Sequence, residues 1–136
     1  MTTVQNLETA FVRAMATRPQ VGGFPHLAEV LRQAGVIRNE WHLPSCHSVY
    51  YTETGVVVSQ SAPLVSGMVE VPVFDEAALI QALSTDQAGN STFPEFLAAA
   101  WAAGVVRYTV DFAERYVIYY GSQGQTYRED YPAVTV

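Results

Sequence analysis

The chain is poor in cysteine, in positive charge and in long apolar runs, and each shortage narrows what it can be. Cys46 is the sole cysteine, so no intrachain disulfide is possible, which fits a reducing compartment. Lys and Arg number seven against thirteen Asp and Glu, giving a formal charge of −6. Phosphate contact needs clustered cations and anionic lipid needs a basic patch, so neither nucleic acid nor a membrane surface is an expected partner. The longest apolar run, around Phe96 to Val106, is Ala-rich and broken by Gly104, far short of the ~20 residues of a span. Met1-Thr-Thr-Val-Gln-Asn shows neither the basic nor the apolar part of a secretion signal. The expectation is a soluble, cytoplasmic protein.

Catalytic signatures are missing as well. The sequence has no Gly-x-Ser-x-Gly elbow, phosphate-binding loop, Gly-x-Gly-x-x-Gly turn or His-Glu-x-x-His helix. No cofactor is expected, and whether the chain is an enzyme stays open. Hydrophobic residues make up 49% and charged residues 15%, enough apolar surface to offset the entropy of ordering one domain.

What the chain does contain, it contains twice. Shifted by 69 residues, Phe24-Pro25 falls on Phe93-Pro94, Ala34-Gly35-Val36 on Ala103-Gly104-Val105, and Arg38 on Arg107. Tyr50-Tyr51 falls on Tyr119-Tyr120 and Gly55 on Gly124. A fixed internal period of this kind marks one supersecondary unit built twice, here over about 1–60 and 70–136 of one domain spanning 1–136.

Each half opens with a helix. Leu7, Ala10, Phe11, Ala14 and Met15 share one helical face, as do Ala78, Leu79, Ala82 and Leu83, with Asp75 as N-cap of the latter. Loops at Arg18–Gly23 and Ser84–Ser91 follow. The repeated helix carries Phe93, Phe96, Leu97, Ala100 and Trp101 on one stripe, matched by Phe24, Leu27, Ala28 and Leu31, with Arg32 in place of the Trp. Thr92 to Glu95 forms a capping box, and Gly35 and Gly104 end the helices on a left-handed residue.

The period then becomes two. Val106, Tyr108, Val110 and Phe112 are expected inward and Val105, Arg107, Thr109 and Asp111 outward. In the first half Ile37, Asn39, Trp41 and Leu43 go inward, with Val36, Arg38, Glu40 and His42 outward. Strands at His47–Tyr51, Val56–Gln60, Tyr116–Tyr120 and Gln125–Glu129 complete two meanders, and Ser61–Val73 and Ala133–Val136 have room for one short strand each. The expected fold class is α+β: a duplicated helix-helix-three-stranded antiparallel meander whose halves share one core, because such a unit is marginal alone. One six-stranded sheet and two packed sheets are both compatible with this pattern.

The string Phe93-Pro94-Glu95-Phe96, then Ala103-Gly104-Val105-x-Arg107-Tyr108-x-Val110-Asp111-Phe112, then Tyr119-Tyr120-Gly121 and Tyr131-Pro132-Ala133-Val134, resembles the YbcV-like bacterial family. That small family is of unknown function, and some members are labelled phage envelope protein. The resemblance is densest over 92–134 and implies no catalytic set.

Two constellations could carry chemistry. His42, Cys46 and His47 offer one thiol and two imidazoles, but their spacing matches no standard zinc pattern and they lie on a hairpin turn, so no metal site is assigned. The outward strand face is the better candidate: Arg38, Glu40 and His42 on one strand, Arg107 and Asp111 on its counterpart. Brought together, they would form a surface able to hold a carboxylate-bearing small molecule, or a set of cross-strand ion pairs. The expected function is a non-enzymatic protein- or ligand-binding domain; the alternative is a small enzyme or small-anion-binding protein using Arg38, Glu40 and His42. Paired tyrosines at 50/51 and 119/120 make the meanders aromatic, which suits both strand packing and recognition. The expected partners are a second copy of the chain, a protein or a small anion.

Overall fold

The computed structural model describes all 136 residues, and its element order repeats: helix, helix, three strands, twice. The first half contributes α1 (Thr3–Thr17), α2 (Gly23–Gln33), β1 (Val36–His42), β2 (His47–Thr52) and β3 (Gly55–Gln60). The second contributes α3 (Glu76–Gln87), α4 (Phe93–Ala102), β4 (Val105–Asp111), β5 (Tyr116–Gly121) and β6 (Thr126–Asp130). The fold is α+β, and no helix is long and apolar enough to cross a membrane.

Helix ends obey local chemistry. Thr2 and Thr92 each accept from the N3 backbone N–H, while Gln5 and Glu95 reach back, two complete capping boxes. Asp75 caps α3 by accepting from the Ala78 N–H at 3.1 Å. Gly35 and Gly104 close α2 and α4 with φ of 97° and 88°. α3 runs past the expected stop at Ser84 to Gln87. Within that extension the Thr85 hydroxyl bonds back to the Gln81 carbonyl at 2.9 Å, the way a Thr hydroxyl is satisfied inside a helix.

The two meanders join as one antiparallel sheet in the order β3-β2-β1-β4-β5-β6. β1 and β4 pair at the centre, with Arg38 opposite Asp111, Glu40 opposite Thr109 and His42 opposite Arg107. Glu40 and Thr109 are themselves 69 residues apart, so the approximate two-fold axis relating the halves passes between them.

Both central strands are irregular at equivalent places. The pairing of β1 with β2 slips between Val36 and Arg38, and that of β4 with β5 between Val105 and Arg107. Each slip inserts one residue, Ile37 or Val106, and reverses the facing of the residue before it. The inward assignments of Ile37 and Val106 are therefore corrected. Ile37 is 51% exposed and Val106 half-buried, while Val36 and Val105 fill the core.

The core has one layer of helices on one face of the sheet. Leu7, Leu31, Leu79, Leu83, Phe96 and Leu97 descend onto Val36, Trp41, Tyr50, Val105, Tyr108, Val110, Phe112 and Tyr119. Asn39 is buried there too and is satisfied, donating to Ser48 Oγ at 2.7 Å and to the Val49 carbonyl at 3.0 Å. Phe93, expected in the core, is 43% exposed at the first turn of α4, with its ring edge-on to Trp41 at 5.1 Å between centroids. Neither Ser61–Val73 nor Ala133–Val136 forms a strand; Pro63, Pro72 and Pro132 each withhold a ladder N–H. The halves also clasp each other: Glu29 of α2 holds Arg32 at 2.6 Å and faces Arg115, from the β4–β5 turn, at 3.8 Å.

Candidate functional site: the open sheet face

Alternation along six strands leaves the second face of the sheet without a helix over it. Its outward residues form three rows across the strands, set by the pairing registers. One row reads Val56, Tyr51, Arg38, Asp111, Tyr116, Asp130. The middle row reads Val58, Val49, Glu40, Thr109, Ile118, Arg128. The third reads Gln60, His47, His42, Arg107, Tyr120, Thr126. All five expected site residues, Arg38, Glu40, His42, Arg107 and Asp111, thus stand on adjacent central strands of one surface.

They do not all engage one another. Arg38 meets Glu40 at 3.6 Å and lies 4.2 Å over the Tyr51 ring. Arg107 takes no carboxylate; its guanidinium lies 3.7 Å over the Tyr120 ring, so the expected ion pair is replaced by a cation–π contact. Asp111 turns to its own backbone, accepting from the N–H groups of Ala113 at 3.1 Å and Glu114 at 2.9 Å. Arg128 completes the set, 4.0 Å over Tyr116 and 2.9 Å from Asp130. Each exposed arginine–ring contact is worth about 0.5–1 kcal/mol.

Tyr51, Tyr116, Tyr120 and Arg128 are the members that the strand alternation of one β-strand at a time misses. The signal was present in the repeat: within each Tyr-Tyr pair one ring goes inward, and the other sits across from the repeated arginine.

The His42–Cys46–His47 grouping comes apart. The imidazoles stack outside with centroids 4.3 Å apart, and His47 Nδ1 meets Ser45 Oγ at 2.8 Å. Cys46 instead enters the core with φ of 52°, its thiol donating to the Leu43 carbonyl at 3.3 Å. Burial, then the His47 charge, holds the His42 imidazole below its ordinary range; burial pushes the Cys46 thiol up, away from reactivity.

The face is electrically distinct. Arg38, Arg107 and Arg128 balance Glu40, Asp111 and Asp130, so it is formally neutral. The remaining four arginines and ten carboxylates carry the full −6, and none of the seven basic residues is a lysine.

Sequence comparison defines the class to which this architecture belongs. Residues 13–129 match the model of DUF1398, a family of proteins of unknown function, and the chain is a member of that family. It is 53% identical over 131 residues to the uncharacterised proteins Mb2035 of Mycobacterium bovis and Rv2012 of Mycobacterium tuberculosis (strain H37Rv). The match covers 96% of this chain and 80% of each relative.

Proposed function

We propose that this protein is a non-enzymatic binding domain whose open sheet face is its interface, and that the face is occupied by a second copy of the chain. The observation that carries this reading is a neutral, uncovered face on an otherwise acidic protein. Two acidic molecules repel through most orientations, and this surface brings them together with no net charge opposed. Val49, Val56, Val58 and Ile118 supply apolar area on it, with Val56 60% and Val58 68% exposed. Six strands about 4.8 Å apart, each with three outward positions about 6.8 Å apart, span roughly 600 Å² in plane. Side-chain relief brings that near the ~800 Å² per partner of a standard interface. Aligned sheet-on-sheet packing is the geometry such a face accepts.

The resemblance to YbcV-like proteins and a cytoplasmic setting belong to the same proposal: a buried reduced thiol and a soluble dimer need no export. The test is light scattering on the purified protein at tens of micromolar. A dimer mass that falls to monomer in Val58→Glu, with the circular dichroism spectrum retained, supports the reading. A monomer mass for the parent protein rejects it.

A second reading has one observation behind it, the lack of any carboxylate partner for Arg107. Here the face holds a small anion at Arg107, two rows away from Arg38. Arg38→Ala with Arg107→Ala would then abolish anion binding in a folded protein, whereas unfolding of that variant would make the arginines structural.

A further inference from the structure

The helical side carries a concavity of different character. A cleft of about 450 Å³ opens where the α1–α2 loop meets the α3–α4 loop, with Arg18, Phe24, Asp86, Gln87, Ser91 and Phe93 in its lining. That volume lies in the range of small-molecule sites. Both halves build it: Phe24 and Phe93 are repeat equivalents, and the loops touch where Gln20 Nε2 donates to the Gly89 carbonyl at 3.3 Å.

Two opposite charges line this cleft without closing on each other. Arg18 follows the end of α1 and joins none of the protein's ion pairs. Its guanidinium lies over Gly23 in the space a Cβ would take, so the bare backbone is what lets it rest there. Asp86, on the last turn of α3, accepts one side-chain hydrogen bond, from Ser91 Oγ at 3.3 Å. Both residues are half-buried. Burial raises the Asp86 carboxyl above the ordinary range, and the Ser91 hydrogen bond and, more weakly, Arg18 oppose that shift without cancelling it. Gly22 begins α2 without a side-chain cap, which leaves the N–H groups of Gly23 and Phe24 without helical partners beside Arg18.

A ligand with a single charge would satisfy one of these groups and leave the other unpaired in a partly covered site. A ligand carrying both charges satisfies both. We propose that this cleft binds a small zwitterion of the amino-acid type, its carboxylate on Arg18 and its ammonium on Asp86, with an apolar side group against Phe24 and Phe93. The site lies on the opposite side of the molecule from the open sheet face and does not depend on that face's occupant.

The experiment is isothermal titration calorimetry of the full chain with L-phenylalanine, L-leucine and glycine. 3-Phenylpropionate and 2-phenylethylamine serve as single-charge analogues. L-Phenylalanine should bind at least about tenfold more tightly than either analogue. Asp86→Asn should reduce it to the affinity of 3-phenylpropionate and leave that analogue unchanged; Arg18→Gln should reduce it to that of 2-phenylethylamine. Both substitutions remove a half-buried charge from a loop or helix end, and thermal melts of each variant verify folding. Equal affinity for the zwitterion and both analogues would overturn the assignment. So would the absence of heat from all three amino acids up to about 10 mM.

Discussion

Cys46 and Arg115, 69 positions apart, are the two non-glycine residues of the chain with left-handed backbone, at φ of 52° and 59°. They occupy equivalent turns and do the same backbone work: the Cys46 carbonyl accepts from Ser61 N–H at 2.9 Å, and the Arg115 carbonyl from Tyr131 N–H at 3.1 Å. Their side chains have nothing in common, one a buried thiol and the other a guanidinium facing Glu29. The repeat has kept the turn and varied the residue.

A first prediction isolates that backbone. Arg115→Asn and Arg115→Val both remove the guanidinium, but Asn tolerates a left-handed φ and a β-branched residue does not. The Val variant should be less stable than the Asn variant by about 1–3 kcal/mol in chemical denaturation. Equal midpoints would show that the turn relaxes.

Gly35 and Gly104 should respond unequally to the same change. Alanine at either meets an unfavourable φ, worth roughly 1–2 kcal/mol. At Gly35 the new Cβ would find Glu53 side-chain atoms no nearer than 3.5 Å. At Gly104 it would strike the backbone of Phe74 at 2.6 Å and of Val73 at 2.7 Å, where the inter-repeat segment crosses. Gly104→Ala should therefore be the costlier by a further ~1–3 kcal/mol, measured by urea unfolding of the two variants side by side.

The slipped pairings give a third prediction. Val36 and Val105 are fully covered, while Ile37 and Val106 stand on the other side of the sheet. Val36→Ala or Val105→Ala should cost about 1.5–3 kcal/mol through lost burial and residual cavity. Ile37→Ala should stay within about 0.5–1 kcal/mol. The reverse order would restore plain alternation through the start of each strand.

The Glu29 cluster should set the acid limb of stability. Arg32 donates to both Glu29 oxygens and Gln33 to one of them, and these bonds hold the carboxyl below the ordinary range against the opposing effect of burial. A carboxyl whose folded pKa is lowered contributes stability that is fully present above the unfolded value. That stability is lost as pH falls from about 4.3 through the folded value. Glu29→Gln should cost on the order of 1.5–3 kcal/mol at pH 7 and flatten the decline below pH 4.3, read from denaturation midpoints across the acid range.

Much of the architecture was legible because it rests on local rules. The capping box at Thr92–Glu95, the Asp75 cap and the helix-ending glycines follow from which side chains can satisfy helix-end N–H groups and which residues accept positive φ. The joining of the meanders was not legible, since pairing β1 with β4 depends on long-range packing. Ile37 and Val106 were misassigned because a one-residue insertion leaves the hydrophobic pattern locally valid for either face. Among the candidate site residues, shared facing followed from alternation. The partners did not: Arg107 chose a ring on β5, and Asp111 chose its own turn, over the carboxylate–guanidinium pairing that charge alone suggests.

The segment between the repeats has a topological consequence. Ser66 to Val71 lies exposed, Gly67 has open space around it, and Met68 is wholly in solvent. The β1–β4 ladder, the shared core and the Glu29–Arg115 and Gln20–Gly89 contacts unite the halves, and none of them uses that stretch. The peptide bond after Gly67 carries none of these contacts: a chain nicked there is expected to remain one particle, two fragments side by side in one sheet with a shared interior, separable by denaturant rather than by proteolysis.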